Sequence, residues 1–219
     1  MIVLALDTAG IDCAAALYDS ETGRVLAEVC ETIGKGHAER LMAMIDEALA
    51  ASGLVLADLD RVAVTVGPGS FTGIRVGVAA ARGLALALGI EAVGVTTLAV
   101  LAAIHRETGA DQPVFVAMDA KRGEVYAQVF AADGAVLSEP VELAIADAEA
   151  LPARYGAAVA GSGAPLLAGA AEGSGPDHFS IAHVARLGAD LQPGAARPKP
   201  LYLRAPDAKP QTGFALSRA

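Results

Sequence analysis

Apolar residues first fall in short blocks and then shift to a spacing of three and four. Ile2-Val-Leu-Ala-Leu-Asp7 is an apolar run closed by a carboxylate, and it predicts a buried strand. Residues 13–18 predict a second strand, Asp19-Ser-Glu-Thr-Gly23 a turn and residues 24–31 a third strand. From His37 to Ser52, Leu41, Met44, Ile45 and Ala48 recur on one helical face, and Gly53 stops the helix. A β-branched block, Val62-Ala-Val-Thr-Val66, then enters the turn Gly67-Pro-Gly-Ser-Phe-Thr-Gly73. An Ala/Leu-rich helix over about 70–88 leaves that turn, with Ser70 or Thr72 as its cap and Gly89 as its stop. A short strand over 92–95 and a helix over 97–106 follow.

The second half repeats the order. Val114-Phe-Val-Ala-Met-Asp119 is again a strand ending in Asp. A strand over 124–130, a turn at Ala132-Asp-Gly134 and a third strand from Val136 complete a meander. A helix over 145–151, a strand over 157–160, the turn Gly161-Ser-Gly163 and another helix come next. A meander followed by alternating helix and strand gives a mixed sheet with helices on its faces. The expected fold is therefore α/β, with two ribonuclease-H-like subdomains. Residues 1–107 form the first and 108–219 a smaller second one with the tail. Ser180 caps a further helix over 181–187 with Gly188 as its stop, and Leu201-Tyr-Leu203 anchors the end of the chain.

Composition narrows the function classes. The chain has 219 residues, 54% of them hydrophobic and only 4% aromatic, so its core is built from Ala, Val and Leu. A net charge of −9 opposes direct, tight binding to a phosphate backbone. Arg197, Lys199, Arg204, Lys209 and Arg218 make the last stretch locally basic, which reads as a solvated tail. Cys13 and Cys30 read as two small buried thiols, not a disulfide framework. The first residues lack a basic leader and no apolar run suggests a membrane span, so a cytoplasmic protein without membrane contact is expected.

The glycine-rich turn fits neither nucleotide motif. It has no Lys for a P-loop, and its third Gly comes one residue late for a dinucleotide fingerprint. Gly73, Gly77 and Ala81 instead recur every four residues along the helix. Such a bare ridge admits another backbone, either a partner helix or the chain's own sheet. Asp7 and Asp119, at strand ends, are candidates for a remnant nucleotide or Mg²⁺ site, but Asp7-Thr-Ala-Gly10 has few hydroxyls and glycines for phosphate. Asp12 reads as part of the turn. Ser70 lacks a nucleophile elbow. The polar hairpin of Asp119, Lys121, Arg122, Glu124 and Tyr126 reads as solvated charge pairing. His105 stands alone, and His178 and His183 are five apart, so the histidines read as surface or capping groups and no metal or cofactor is expected.

The element order resembles the superfamily of actin, the sugar kinases and the heat-shock chaperone ATPases. The specific letters resemble the TsaB (YeaZ) family of tRNA threonylcarbamoyladenosine synthesis. They are Leu4-Ala-Leu-Asp-Thr-Ala9, His37 with Leu41, the Gly67–Gly77 block, Gly94-Val95, Met118 to Tyr126 and Pro200-Leu-Tyr-Leu-Arg204. The resemblance implies a non-catalytic scaffold whose two first-half helices pair with the related catalytic subunit TsaD, or with a second copy where TsaD is missing. His37, Leu41, Ile45, Ser70, Phe71, Gly73, Arg75, Gly77 and Ala81 would carry that interface. It also implies TsaE, an ATPase, as a further partner and tRNA reached only through the complex. The catalytic relatives carry a His-x-x-x-His pair where this chain has Thr97 and Leu101. The alternative class is a stand-alone actin-like kinase or nucleotide hydrolase using Asp7 and Asp119.

Overall fold

The computed structural model describes residues 1–192, 194 and 197–204. The opening blocks become β1 (Ile2–Asp7), β2 (Asp12–Asp19) and β3 (Arg24–Thr32). They are followed by α1 (His37–Ser52), β4 (Arg61–Thr65), α2 (Phe71–Leu88), β5 (Glu91–Val95) and α3 (Thr97–Glu107). The strands form one mixed sheet in the order β3-β2-β1-β4-β5. β1 pairs antiparallel with β2 and parallel with β4. β4 is buried at every position, so it lies inside the sheet, whereas β3 alternates toward solvent at the edge. Successive β1 side chains point to opposite faces. Leu4 and Leu6 join the core beneath α1 and α2, and Val3 and Ala5 join the core on the other face.

The second sheet holds β6 (Val114–Lys121), β7 (Glu124–Phe130), β8 (Val141–Ala144) and β9 (Ala158–Ala160), in the order β8-β7-β6-β9. Its helices are short: α4 (Ile145–Ala148), α5 (Leu151–Tyr155) and α6 (Ala164–Leu167). α3 joins the two sheets, because Leu98, Leu101 and Ala102 pack with Val114, Val116 and Phe130.

Several expectations change. The third strand of the second half starts at Val141, not Val136, which makes only an isolated bridge to Phe130. The Ser138 hydroxyl accepts from the Val129 N–H in between and takes that ladder position. The helix over 145–151 becomes α4 and α5, because Pro152 lacks an N–H and sits in a first turn. The last helix, α7 (Ile181–Asp190), runs through Gly188 instead of stopping there. It covers the far face of the first sheet with Ile181, Val184 and Ala185. A Cβ at Gly188 would lie 2.3 Å from the Ala63 Cβ, so this Gly is needed for close approach and not as a stop. Buried Arg61 holds the helix end by donating to the carbonyls of Gly188, Ala189 and Leu191. A division at residue 107 therefore leaves α7 on the wrong side: the chain returns to its first sheet.

α2 is also long and apolar enough, by length and composition, to cross a membrane, contrary to expectation: its mean hydropathy is 1.4 over 18 residues. One side of it packs on β1 and β4, while Arg75 and Arg82 are exposed on the other. The bare ridge is what seats it. A Cβ on Gly73 would come within 2.0 Å of the Thr8 carbonyl oxygen, and one on Gly77 within 2.5 Å of Thr8 Oγ1.

Overpacking a rigid contact costs roughly 1–3 kcal/mol and sometimes more. Gly73→Ala should lose at least that much stability in urea denaturation, because the atom it meets is backbone. Gly83→Ala, whose Cβ meets nothing within 4 Å, should not lose stability. Equal midpoints for the two variants would show that α2 is not seated this way.

Candidate functional site

β4 delivers the chain to a turn that closes over the loop after β1. The Ser70 N–H donates to the Ala9 carbonyl (2.7 Å) and Thr8 Oγ1 to the Gly73 carbonyl (2.7 Å). Ser70 caps α2 through its own hydroxyl, which accepts from the Gly73 N–H at 3.1 Å. The segment near Leu201 completes the clamp: its N–H donates to the Val66 carbonyl (2.7 Å). The start of α2 is thus tied to the chain itself.

Asp7 ends β1 and is 3% exposed. Thr65 Oγ1 donates to its Oδ1 at 2.5 Å and the Ala9 N–H to the same oxygen at 3.0 Å. Burial pushes the Asp7 carboxyl above the ordinary carboxylate range, against the pull of these two donors. Asp119 lies within β6, not at its end. Its Oδ1 accepts from the Lys121 N–H (2.8 Å), its Oδ2 from Lys121 Nζ (2.6 Å), and its own N–H donates to Ser162 Oγ (2.9 Å). Both candidate carboxylates are already committed to internal partners. Among the described residues no cluster of three His, Cys, Asp or Glu side chains is arranged for a metal. Thr97 and Leu101 are both buried.

The remaining polar groups differ from expectation. Asp12 starts β2 and is buried, accepting from Thr32 Oγ1 (2.6 Å) and facing His178 Nδ1 (2.7 Å). His37 is buried against the Asp12 carbonyl (3.2 Å) and is not a surface group. His183 lies 3.2 Å from Glu107, between α7 and α3. Cys13 is buried, and burial pushes its thiol up to about 11, but Cys30 is exposed. The register sets Cys13 beside Glu31 and Cys30 beside Ala14, so the two sulfurs point to opposite faces of the sheet. Arg204 is not part of a solvated tail: it pairs with Glu124 and Glu142 and lies over the Tyr126 ring. Lys209 and Arg218 lie outside the described residues.

Most of the expected interface points inward. Leu41 and Ile45 are 1% exposed and Ala81 is fully buried, while His37, Gly73 and Gly77 are also covered by the chain's own sheet. The close approach that the spacing admits is taken up by the chain itself: Thr8, in the loop after β1, lies against Gly73 and Gly77. Of the nine residues, Ser70, Phe71 and Arg75 remain exposed. Arg75 lies over the Phe71 ring, which packs against Tyr202 (ring centroids 5.0 Å apart). The outer side of α2 continues with Ala79, Arg82, Gly83, Leu86 and Ala87, all exposed, and Leu86 is 85% exposed. Beside it, α1 exposes Glu39, Met42, Asp46 and Glu47. Ala79, Gly83 and Ala87 repeat the four-residue spacing of the inner ridge, a signal present in the sequence but masked by the stronger one beside it.

Two mixed sheets with helices on their faces, two strand carboxylates and a glycine turn leading into α2 define an actin-like α/β protein. The family model for TsaD, tRNA N6-adenosine threonylcarbamoyltransferase, matches residues 25–180. The tRNA threonylcarbamoyladenosine biosynthesis protein TsaB of Escherichia coli K12 is 40% identical over 127 residues, 58% of this chain and 53% of that protein. An uncharacterized protein of Mycobacterium tuberculosis H37Rv is 38% identical over 208 residues, 95% of this chain and 94% of its own length. Among solved structures, YeaZ from Pseudomonas aeruginosa has 35% identity and a TM-score of 0.58, covering 65% of this chain and 67% of that one. A protein described as similar to the peptidase YeaZ from Pseudomonas aeruginosa has a TM-score of 0.74 and 29% identity, over 93% and 99% of the two chains. The chain belongs to the TsaB (YeaZ) family. It spans about half the length of the E. coli TsaB protein.

A carboxyl whose folded-state pKa is raised contributes stability below the ordinary carboxylate range, and that contribution is lost as pH rises through the raised value. Asn in place of Asp7 keeps the Oδ1 acceptor without the charge. Asp7→Asn should therefore be at least as stable as the unaltered chain at pH 7, and its melting temperature should fall less between pH 4 and 7. A steeper fall would show that Asp7 is stabilised as the anion.

Proposed function

We propose that this chain is a non-catalytic subunit of the cytoplasmic machinery that makes threonylcarbamoyladenosine in tRNA, and that it acts by pairing with the related subunit TsaD. In this reading residues 1–107, completed by α7, carry the pairing surface. TsaD supplies the transfer chemistry, TsaE joins as the ATPase, and tRNA is met only in the assembly. A second copy takes TsaD's place when TsaD is missing.

The observation that carries the reading is the outer side of α2. An 18-residue helix leaves Leu86 85% exposed beside the small residues Ala79, Gly83 and Ala87. Small side chains let a second helix approach closely. α2 exposes Arg75 and Arg82 while α1 exposes Glu39 and Asp46, so a related helix pair can be met with opposite charges across the contact. Thr97 and Leu101, in the positions where the resemblance puts the catalytic histidines, support assigning the chemistry to the partner. A stand-alone nucleotide enzyme has less support, since Asp7 and Asp119 are engaged internally. It predicts heat on adding ATP and Mg²⁺ to the isolated chain, and turnover lost in Asp7→Asn.

Gly83→Leu and Leu86→Asp test the pairing on a surface that the chain's own fold does not use. Each should weaken binding to the TsaD homologue of the same cell by tenfold or more in a co-purification and titration. Gly83→Leu should meanwhile raise the monomer's own stability, since Gly in a helix interior costs about 0.8–1.0 kcal/mol relative to the best helix formers. Unchanged affinity for TsaD in both variants would remove this surface from the interface.

A further inference from the structure

In the sheet order β3-β2-β1-β4-β5, α1 packs over β2 and β3, and α2 over β4. A third element closes the row beside β5. Pro198 is buried there, with its Cα 3.4 Å from where a Gly94 Cβ would stand. Leu201 packs against the core beneath α1 and α2. Residues 197–202 therefore form a packed rim and not a loose end. Arg197 lines a groove of about 790 Å³ with Arg82, Leu86 and Ile90, at the end of α2 and the amino end of β5. Tyr202 stacks on Phe71 at the start of α2. From Phe71 to Arg82 the helix rises about 16 Å. The extended chain from Arg197 to Tyr202 reaches about 17 Å. The rim thus runs alongside α2, in the opposite direction.

The rim departs from the rest of the chain in charge. The protein has 25 acidic residues against 16 basic ones, yet neither α2 nor residues 191–204 contain an Asp or Glu. Arg75, Arg82, Arg197 and Lys199 are exposed there. Among the described residues, neither Arg82 nor Arg197 has a hydrogen-bonding or ionic partner. The one carboxylate lining the groove, Glu91, is already engaged by Arg61 and by the Gly194 N–H. Ala85, Leu86, Ile90 and Pro198 make the rest of the groove apolar. On the opposite flank of α2, α1 exposes Glu39 and Asp46. The face therefore grades from an acidic helix, across the small-residue ridge, to a basic rim. It also carries an exposed aromatic stack in a chain that is only 4% aromatic. Phe71 and Tyr202 lie 5.0 Å apart, with Arg75 over the Phe71 ring. Tyr and Arg side chains are over-represented among the residues that anchor protein contacts.

We propose that residues 197–202 are a third element of the pairing surface and that TsaD covers them. The inference rests on the pairing put forward above and extends it beyond the two helices. The groove shares Arg82, Gly83 and Leu86 with the outer side of α2, so an occupant of that side reaches it without a second docking event. The chemistry of the occupant follows from the charges. The matching part of TsaD brings a carboxylate into the groove between Arg82 and Arg197, and an apolar side chain onto the Tyr202 ring. A guanidinium buried without such a carboxylate is costly. The rim therefore selects an acidic edge on the partner and rejects a basic one.

The test is titration of the full chain with the TsaD homologue of the same cell, with sedimentation of the chain alone beside it. Tyr202→Ala should weaken TsaD binding at least about tenfold, and Tyr202→Phe, which keeps the ring, should not. Arg197→Glu should also weaken it, and that loss should shrink as NaCl rises from about 0.05 to 0.5 M. Unaltered TsaD affinity in both Tyr202→Ala and Arg197→Glu, with Leu86→Asp still disruptive, overturns this proposal and leaves the pairing standing. Unaltered affinity in Leu86→Asp as well removes the pairing itself. A change confined to the chain's own self-association assigns the rim to a second copy and overturns the proposal. Should Tyr202→Ala lower the melting temperature through loss of the Phe71 contact, Arg197→Glu decides alone, since its side chain has no partner among the described residues.

Discussion

The close seating of α2 on the loop after β1 is the contact that the rest of the structure depends on. Gly73 lies against the Thr8 carbonyl and Gly77 against the Thr8 hydroxyl, and Thr8 Oγ1 and the Ser70 N–H hydrogen-bond across the same junction. With no Cβ in the way, the helix approaches until backbone meets backbone. That closeness buries Thr8, holds Asp7 between Thr65 and the Ala9 N–H, and fixes which side of α2 faces out. Any side chain at Gly73 or Gly77 would lift the helix and disturb all three at once.

The inward ridge defines the outward one. An α-helix has two sides at this spacing, and once Gly73, Gly77 and Ala81 are used internally, Ala79, Gly83 and Ala87 are what is left for another molecule. The same division holds on α1, where Leu41, Met44, Ile45 and Ala48 fill the core and Glu39, Met42, Asp46 and Glu47 face solvent. The proposed pairing with TsaD therefore uses the two helices that the resemblance named, keeping Arg75 but replacing the buried residues of the expected set with outward ones.

Connectivity shapes the other half of the molecule. α3 packs on the second sheet and α7 returns to the first, so the sheets are linked by crossing elements as well as by the chain between Val95 and Val114. The segment before α7 passes through the crevice between the strand ends. Its Asp177 and His178 touch a turn of one sheet and a loop of the other.

The order of elements could be read from the sequence because it depends on local periodicity: the α1 repeat, the strand-Asp blocks and the glycine turn each carry their own signal. Helix limits at Gly53 and Gly89 were legible for the same reason, since both residues hold left-handed backbone that glycine adopts freely. The candidate carboxylates Asp7 and Asp119 were found by position, but not their partners, because Thr65, Lys121 and Ser162 reach them only through the fold. The spacing of Gly73, Gly77 and Ala81 announced that some backbone would come close, without saying whose. Helical periodicity fixes which residues share a face, whereas which face is buried depends on the neighbouring strand, and that pairing of Thr8 with α2 joins residues 65 apart in the chain. Gly188, read as a stop, shows the same limit. Its role comes from Ala63, and only the tertiary packing brings the two together.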